Sequence, residues 1–145
     1  MTVTLTRQND DYLFKASGPN QHEITLDYSK EGHPQGASPM ELLLMAIGGC
    51  NAIDIIYVLK KQRQKVEGYT VKVTGERAEV EKANPFKSAH VEIYLEGDII
   101  PAKALRAAKL SFEQYCSVSM SLKGSVTIDY SVFVNGIKVN PESES

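Results

Sequence analysis

A long apolar segment, GASPMELLLMAIGGCNAIDIIYVLKK at residues 36–61, limits how this chain of 145 residues can fold. Ser38, Pro39 and Glu41 match the S-x-x-E capping box with proline in the first turn, which predicts the start of a helix. Over residues 42–59, apolar side chains lie on almost every side of that helix. Because a helix that is apolar all round is normally covered by other elements, we expect it at the centre of the fold.

Strands are predicted on both sides of this helix. Three short runs before it, separated by polar turns, suggest an antiparallel meander: TVTLT, DYLFKA and HEITLDY. Period-two apolar residues after it predict strands at residues 71–80, 91–95 and 126–134, with a loop, EKANPF, between the first two. The last residues, PESES, are expected to form a frayed tail.

A second, amphipathic helix is expected after Pro101, with an apolar stripe formed by Leu105, Ala108, Phe112, Tyr115 and Cys116. The order of elements contains no βαβ series, so we expect an α+β domain spanning residues 1–145, with antiparallel sheets packed on the long central helix and on the amphipathic one. The central helix carries more apolar surface than one subunit of this size covers. We therefore expect part of it to pack against a second chain in a homodimer.

Composition and charge exclude several classes of function. Hydrophobic residues make up 42% and charged residues 23% of the chain, as in ordinary soluble globular proteins. The formal net charge of −2 gives no positive field to attract nucleic acid. The first residues do not resemble a signal peptide, so we expect a cytoplasmic protein. The apolar window at residues 42–59 is only just long enough for a bilayer and contains Asn51 and Asp54, so no membrane span is expected.

Gly48 and Gly49 precede Cys50 in the middle of the long helix, where each glycine costs about 1 kcal/mol relative to alanine. We expect another helix or a ligand to approach the backbone there and so to offset this cost. The second helix is the natural neighbour, and it could bring Cys116 towards Cys50. Two cysteines in a reducing compartment are expected as thiols, with any disulfide between them transient and functional.

Other interpretations of the cysteines stay open at this point. A free cysteine often packs as a small buried hydrophobe. His22, His33 and His90 lie in strand or loop segments without C-x-x-C or H-x-x-x-H spacing, so we expect no metal, no other cofactor and no Cys–His hydrolase.

Two motifs, SPMELLLMAIGGC ending at Cys50 and FEQYCSVS around Cys116, resemble those of the osmotically inducible protein C and organic hydroperoxide resistance family. The family motifs typically run N-P-x-E-L-x-x-A-x-x-x-C and C-P-x-S, and the resemblance extends over nearly the whole chain, including VTIDYSV near its end. It implies an intertwined homodimer of α+β subunits with two sites at the interface.

The resemblance also implies a thiol-dependent peroxidase that acts on organic hydroperoxides in oxidative stress defence, with hydrogen peroxide as a further candidate substrate. Cys50 would attack the hydroperoxide, release an alcohol and become a sulfenic acid. Cys116 would resolve it as a disulfide, and a dithiol, in some members a dihydrolipoyl group, would restore both thiols. The alternatives are a non-enzymatic member that binds a small apolar or electrophilic ligand in the same interface pocket, and a redox sensor that uses the disulfide as a switch.

A peroxidatic thiol needs a cation that lowers its pKa and a carboxylate that holds the cation. Met40 stands where the hydroperoxide resistance members carry an acidic residue, whereas Glu41 matches a second acidic position and also fits the capping box. Arg7, the only arginine before residue 63, is the candidate cation. A pocket for the organic peroxide is expected from Met40, Leu43, Ile47, Phe86 and Phe112.

Overall fold

The computed structural model describes residues 1–141, so the predicted tail beyond Pro141 lies outside the described residues. The chain divides into two compact units, Met1–Leu43 and Leu44–Ser145. Together they contain two sheets and a mixture of helices, which confirms the predicted α+β class. That the whole chain acts as one domain stays a prediction.

The first unit holds a three-stranded antiparallel sheet, which confirms the predicted meander. Its strands are β1 (Thr4–Arg7), β2 (Phe14–Ser17) and β3 (Glu23–Leu26), paired in that order. In the turn between β1 and β2, the Asn9 side chain accepts hydrogen bonds from the backbone N–H groups of Asp11 and Leu13. Such local bonds satisfy backbone donors where the strand ladder ends.

Helix α1 (Pro39–Lys61) begins at the predicted capping box. The Ser38 N–H donates to Glu41 Oε2 at 2.6 Å, and the Glu41 N–H donates to Ser38 Oγ at 3.2 Å. Each side chain therefore satisfies one backbone donor that the first helical turn leaves unpaired. These bonds hold the pKa of the Glu41 carboxyl below its usual range, with the Ser38 backbone N–H as the main cause.

In the second unit α1 is covered on one face only. Its buried residues are Ile47, Gly48, Asn51, Ile55, Val58 and Leu59. Met45, Ile53 and Tyr57 are exposed at four- or eight-residue spacing and so lie on one stripe, with Ile53 74% exposed. By length and hydropathy alone α1 could cross a membrane, a property it shares with core helices of soluble proteins. The predicted second chain on this stripe stays a prediction.

The second unit contains a four-stranded sheet in the order β4 (Lys65–Arg77), β5 (Phe86–Asp98), β6 (Thr127–Val134) and β7 (Ile137–Lys138). Neighbouring strands are antiparallel except β5 and β6, which are parallel because the chain crosses over through helices between them. The inner face packs on α1 around a core that includes Ile47, Ile55, Leu59, Val91, Ile93, Leu95 and Val132.

Four details of the sheet differ from the prediction. The sheets were expected to be antiparallel, but β5 and β6 are parallel. Strand β4 starts six residues before the expected residue 71 and ends at Arg77, so Ala78 and Val80 lie outside it. Val80 instead forms an isolated bridge with Ala83, because the connection folds back on itself. Phe86, expected in the loop, begins β5, and the short β7 was not predicted.

The predicted second helix is broken into three parts. Helix α2 (Pro101–Leu110) continues as a π-helical turn at Ser111–Tyr115, and a separate helix α3 (Ser117–Leu122) follows. Cys116 stands between them with an extended backbone (φ −74°, ψ 106°). The prediction that Cys116 and Tyr115 share the buried stripe of one helix is wrong: Tyr115 is 51% exposed, and Cys116 is buried outside any helix.

Candidate functional site

Cys50, Asp54 and Cys116 form the centre of the candidate site. One ligand atom from each residue, the two sulfur atoms and a carboxylate oxygen, lies within 4.8 Å of the other two. Cys50 and Asp54 are one turn apart on α1, so their side chains point from the same face of that helix. The described structure thus places the two thiols beside each other although 66 positions of sequence separate them, and both are free.

The break in the second helix positions Cys116. The Cys116 N–H donates to the Ser111 carbonyl at 2.8 Å, five residues back, which closes a π-type turn. Such turns insert one extra residue and recur at functional sites. The chain then leaves the helix at Cys116, whose side chain caps α3.

A buried polar network ties this turn to α1. Ser111 Oγ lies 2.8 Å from Asn51 Oδ1 and 3.0 Å from Asp54 Oδ2. Because a hydroxyl carries one proton, it donates to one of these oxygens at a time. Asn51 is anchored in turn, since its Nδ2 donates to the Ile47 carbonyl at 2.8 Å. The network fixes the Asp54 carboxylate next to the thiols.

The two sulfur atoms differ in exposure and in hydrogen bonding. Cys116 is 1% exposed, and its Sγ accepts hydrogen bonds from the Ser119 backbone N–H at 3.3 Å and from Ser119 Oγ at 3.2 Å. Cys50 is half-buried, so a small molecule reaches its sulfur more easily than that of Cys116.

Several neighbours act on the pKa of the Cys50 thiol. Burial raises this pKa above its ordinary value, and the nearby Cys116 thiol and Asp54 carboxylate raise it further. The Val118 backbone N–H, which donates towards the Cys50 sulfur, acts in the opposite direction. Among the groups that shift this pKa in the described structure, none is a cationic side chain.

The two glycines before Cys50 have different surroundings. A Cβ atom at Gly48 would lie 2.7 Å from Val73 Cγ2 and 3.3 Å from Val71 Cγ1, both on β4. The expectation that a second helix or a ligand approaches here is wrong, because the strand fills this space. At Gly49 a Cβ atom would meet no heavy atom within 4 Å among the described residues beyond its chain neighbours and the nearby backbone of α1, so this position is open there.

The proposed activating residues lie in the first unit and have local partners there. Arg7 is exposed on β1, and its Nε donates to the Asp11 carbonyl at 2.9 Å. Glu41 completes the capping box, as described above. Met40 and Leu43, proposed for the substrate pocket, are partly buried in the first two turns of α1.

The other three proposed pocket residues belong to the second unit. Ile47 is wholly buried in the core, and Phe86 is 8% exposed, with its ring against Gly75. Phe112 stacks on Tyr130 with ring centroids 4.4 Å apart. Phe112 also lines a groove of about 490 Å³ together with Ser119, the residue that donates to Cys116 Sγ. Of these three, Phe112 is the one that borders this open space.

Asp54, Asn51 and Ser111 were not predicted as site residues. Asp54 had one available signal, its four-residue spacing from Cys50 on a helix. A second signal for a polar site was the presence of both Asn51 and Asp54 in an otherwise apolar segment, because buried polar side chains require hydrogen-bond partners. Nothing local to Ser111 indicates that it supplies that partner.

The outer face of the second sheet carries another polar cluster that was not predicted. His90 Nδ1 lies 2.6 Å from Asp129 Oδ1, and His90 Nε2 lies 3.1 Å from Ser131 Oγ. His90 is on β5 and is in register with Asp129 on β6, and Ser131 is two residues further along β6. Since β5 is paired with strands on both sides, its backbone amides are engaged in the sheet. The cluster thus links the two parallel strands across their outer face.

Comparison with known proteins shows one family. The sequence pattern described as OsmC-like protein matches residues 32–131. Protein YhfA of Escherichia coli (strain K12) is 39% identical over 119 residues, which cover 81% of this chain and 87% of that protein.

Solved structures agree with this assignment. The crystal structure of a hypothetical protein from Aquifex aeolicus VF5 is 29% identical, with a TM-score of 0.77 over 92% of this chain and 96% of that one. An organic hydroperoxide resistance protein from Elizabethkingia anophelis has a TM-score of 0.68 over 93% of this chain and 97% of that one. At 16% identity the latter similarity shows the fold alone.

Proposed function

The chain belongs to the OsmC-like protein family, and from that membership we propose that it is a thiol-dependent reductase of organic hydroperoxides with Cys50 and Cys116 as its redox pair. The observation that carries this proposal is the position of the two free sulfur atoms within 4.8 Å of each other. The two sulfur atoms need to move closer to form a disulfide, because the S–S bond is about 2.05 Å long. The name of the Elizabethkingia relative, organic hydroperoxide resistance protein, points to the same class of substrate.

Cys50 is the proposed nucleophile because it is half-buried, whereas Cys116 is 1% exposed. Its thiolate attacks the outer oxygen of the hydroperoxide, the O–O bond breaks, and the alcohol leaves after taking up a proton. Cys50 is then a sulfenic acid, oxidised by two electrons. The Cys116 thiol attacks this sulfur, water leaves, and a disulfide forms. A dithiol, for which a lipoyl group is the proposed type, returns both sulfurs to thiols by exchange and is itself oxidised to a disulfide.

Activation of Cys50 requires a positive charge, because burial and the Asp54 carboxylate both raise its pKa. Arg7 is the proposed cation, and Glu41 is the proposed carboxylate that holds it.

We propose a cytoplasmic homodimer in which the exposed stripe of α1 packs against a second copy. Support for the dimer comes from the exposed side chains of Met45, Ile53 and Tyr57, each more than half exposed in the single chain.

The proposal is tested by titrating reduced protein with cumene hydroperoxide and counting free thiols, with and without dihydrolipoamide. The expected result is loss of both thiols, formation of one equivalent of alcohol and turnover when the dithiol is present. Cys50→Ser should consume no peroxide. Cys116→Ser should complete one turnover and then overoxidise at Cys50, since no resolving thiol remains.

Three results would contradict the enzyme. Thiols that stay reduced in excess peroxide would favour a protein that binds a small apolar or electrophilic ligand. Rapid disulfide formation without turnover, for any dithiol supplied, would favour a redox sensor. Equal activity of the wild type and both serine variants would remove the cysteine mechanism altogether.

A further inference from the structure

We propose that the reduced protein binds one thiophilic divalent cation, Zn²⁺ in the first instance, through Cys50 Sγ, Cys116 Sγ and a carboxylate oxygen of Asp54. The three atoms form a triangle with no side longer than 4.8 Å. In a tetrahedral zinc site with Zn–S bonds of about 2.3 Å, two sulfur ligands lie roughly 3.8 Å apart. The sulfur–sulfur side of the triangle therefore needs to contract by about 1 Å at most to hold zinc.

The ligand types suit zinc, which binds thiolate sulfur and carboxylate oxygen. Three protein ligands leave the fourth tetrahedral position for water or for an added ligand. The sequence predicted no metal because its histidines and cysteines show no C-x-x-C or H-x-x-x-H spacing. The described structure instead adds a carboxylate, from a residue one helical turn after Cys50.

A second set of groups orients all three ligands. Ser111 Oγ lies 3.0 Å from Asp54 Oδ2, which leaves the other carboxylate oxygen available. The Ser119 N–H and Oγ both donate to Cys116 Sγ, and the Val118 N–H donates towards the Cys50 sulfur. Hydrogen bonds of this kind fix the ligands of known metal sites and stabilise their charged forms.

The electrostatics of the cluster also favour a bound cation. Because the two sulfur atoms and an Asp54 carboxylate oxygen lie within 4.8 Å of one another, negative charges on all three repel one another. A divalent cation reverses this effect, because it attracts all three negative ligands at once and displaces the thiol protons. Cys50 and Asp54 are half-buried, so the cation has a route to the deeply buried Cys116.

Metal binding and the disulfide exclude each other in this site. A Cys50–Cys116 disulfide uses both sulfur atoms in one covalent bond and leaves no thiolate ligand. An oxidant such as diamide, which accepts the two thiol hydrogens as the sulfurs join, should therefore release the cation. Conversely, zinc should slow oxidation of the pair, since the thiolates it holds are no longer free nucleophiles.

The test uses the full chain, reduced and then freed of reductant, titrated with zinc chloride against a chromophoric chelator. We expect one zinc per chain with release of thiol protons, and none after diamide treatment. Co²⁺ should give thiolate-to-cobalt charge-transfer absorption that falls in each cysteine variant. Cys50→Ser, Cys116→Ser and Asp54→Asn should each weaken zinc binding by more than about 100-fold, and Ser111→Ala by about 10–100-fold.

Asp98→Asn is the matched control, an exposed aspartate at the end of β5, and should bind zinc as the wild type does. Asp54→Asn is nearly isosteric with the native residue, and its circular dichroism and Tm will show whether the fold is kept. Unchanged affinity in Asp54→Asn would overturn the carboxylate ligand, and unchanged affinity in all three ligand variants would overturn the site. Equal binding by the disulfide form would do so as well. Because no peroxide is used, this result is independent of peroxidase turnover.

Discussion

The hydroxyl of Ser111 lies 2.8 Å from Oδ1 of Asn51 and joins two buried polar residues that are 60 positions apart. Asn51 comes from the long apolar helix, and Ser111 is the first residue of the π-helical turn that precedes Cys116. This hydrogen bond therefore sets where the second cysteine meets the first.

Ser111→Ala should destabilise the protein by about 1–3 kcal/mol, because it leaves Asn51 Oδ1 buried without its hydrogen-bond donor. The free energy of unfolding from urea titration measures the effect. Asn51→Ala combined with Ser111→Ala should cost less than the sum of the single changes, since both remove one interaction. Ser125→Ala, an exposed control, should change stability by less than about 0.5 kcal/mol. Full additivity of the two core changes would argue against the bond.

Gly48→Ala should also destabilise the protein, although alanine is the better helix former. The new Cβ would lie 2.7 Å from Val73 Cγ2, and overpacking of this kind costs about 1–3 kcal/mol, more than the gain of about 1 kcal/mol in helix propensity. Thermal and urea unfolding measure the difference. Gly49→Ala gains the same propensity without the overlap, so it should be at least as stable as the wild type in a dilute, monomeric sample. Identical behaviour of the two variants would contradict this account.

Asp54→Asn should make Cys50 more reactive. The carboxylate raises the pKa of the Cys50 thiol, so its removal lowers that pKa and increases the thiolate fraction at neutral pH. Two like charges about 4 Å apart in water-like surroundings repel each other by about 1 kcal/mol. Removal of this repulsion should make the reaction roughly fivefold faster. Alkylation by iodoacetamide across pH, in a Cys116→Ser background, measures the pKa directly. Asp98→Asn serves as the control, and a slower or unchanged rate in Asp54→Asn would contradict the assignment.

Ile53→Asp should convert the proposed dimer to monomer without unfolding it. Ile53 is 74% exposed in the single chain, so a charge there is tolerated by the fold but not by an apolar interface. We expect the dimer to weaken by about 2 kcal/mol or more, roughly 30-fold in its dissociation constant, by analytical ultracentrifugation. Ile137→Asp is matched in exposure at 73% and lies on β7, and should leave the mass unchanged. The proposed interface would be contradicted if the wild type were a monomer, or if both variants remained dimers.

Arg7→Ala tests the proposed activating cation. If its guanidinium lowers the pKa of Cys50, the loss should raise that pKa by about 1 unit or more and slow peroxide consumption about tenfold at neutral pH. Arg106→Ala, an exposed arginine on α2, is the control. Stopped-flow oxidation of the reduced protein gives the rate, and alkylation across pH gives the pKa. A wild-type rate and pKa in Arg7→Ala would remove Arg7 from the mechanism.

Local sequence patterns determined much of this protein. The capping box at Ser38 and Glu41 fixed the start of α1, and its apolar residues marked it as the packing centre, because helix ends and helix faces depend on residues a few positions apart. The meander of the first unit and the alternation in β5 and β6 follow equally from neighbouring residues. The two cysteine motifs identified the family.

Tertiary structure alone decided how the site is assembled. The apolar stripe predicted one continuous helix through Cys116. Instead, Ser111 forms a hydrogen bond with Asn51, and the α-helix changes to a π-helical turn that ends before Cys116. Asp54 joins the thiols only because two distant segments meet, and β4, rather than a helix, occupies the space at Gly48. These contacts join residues 23 or more positions apart. Their free energy depends on packing and burial, which no local pattern of residues contains.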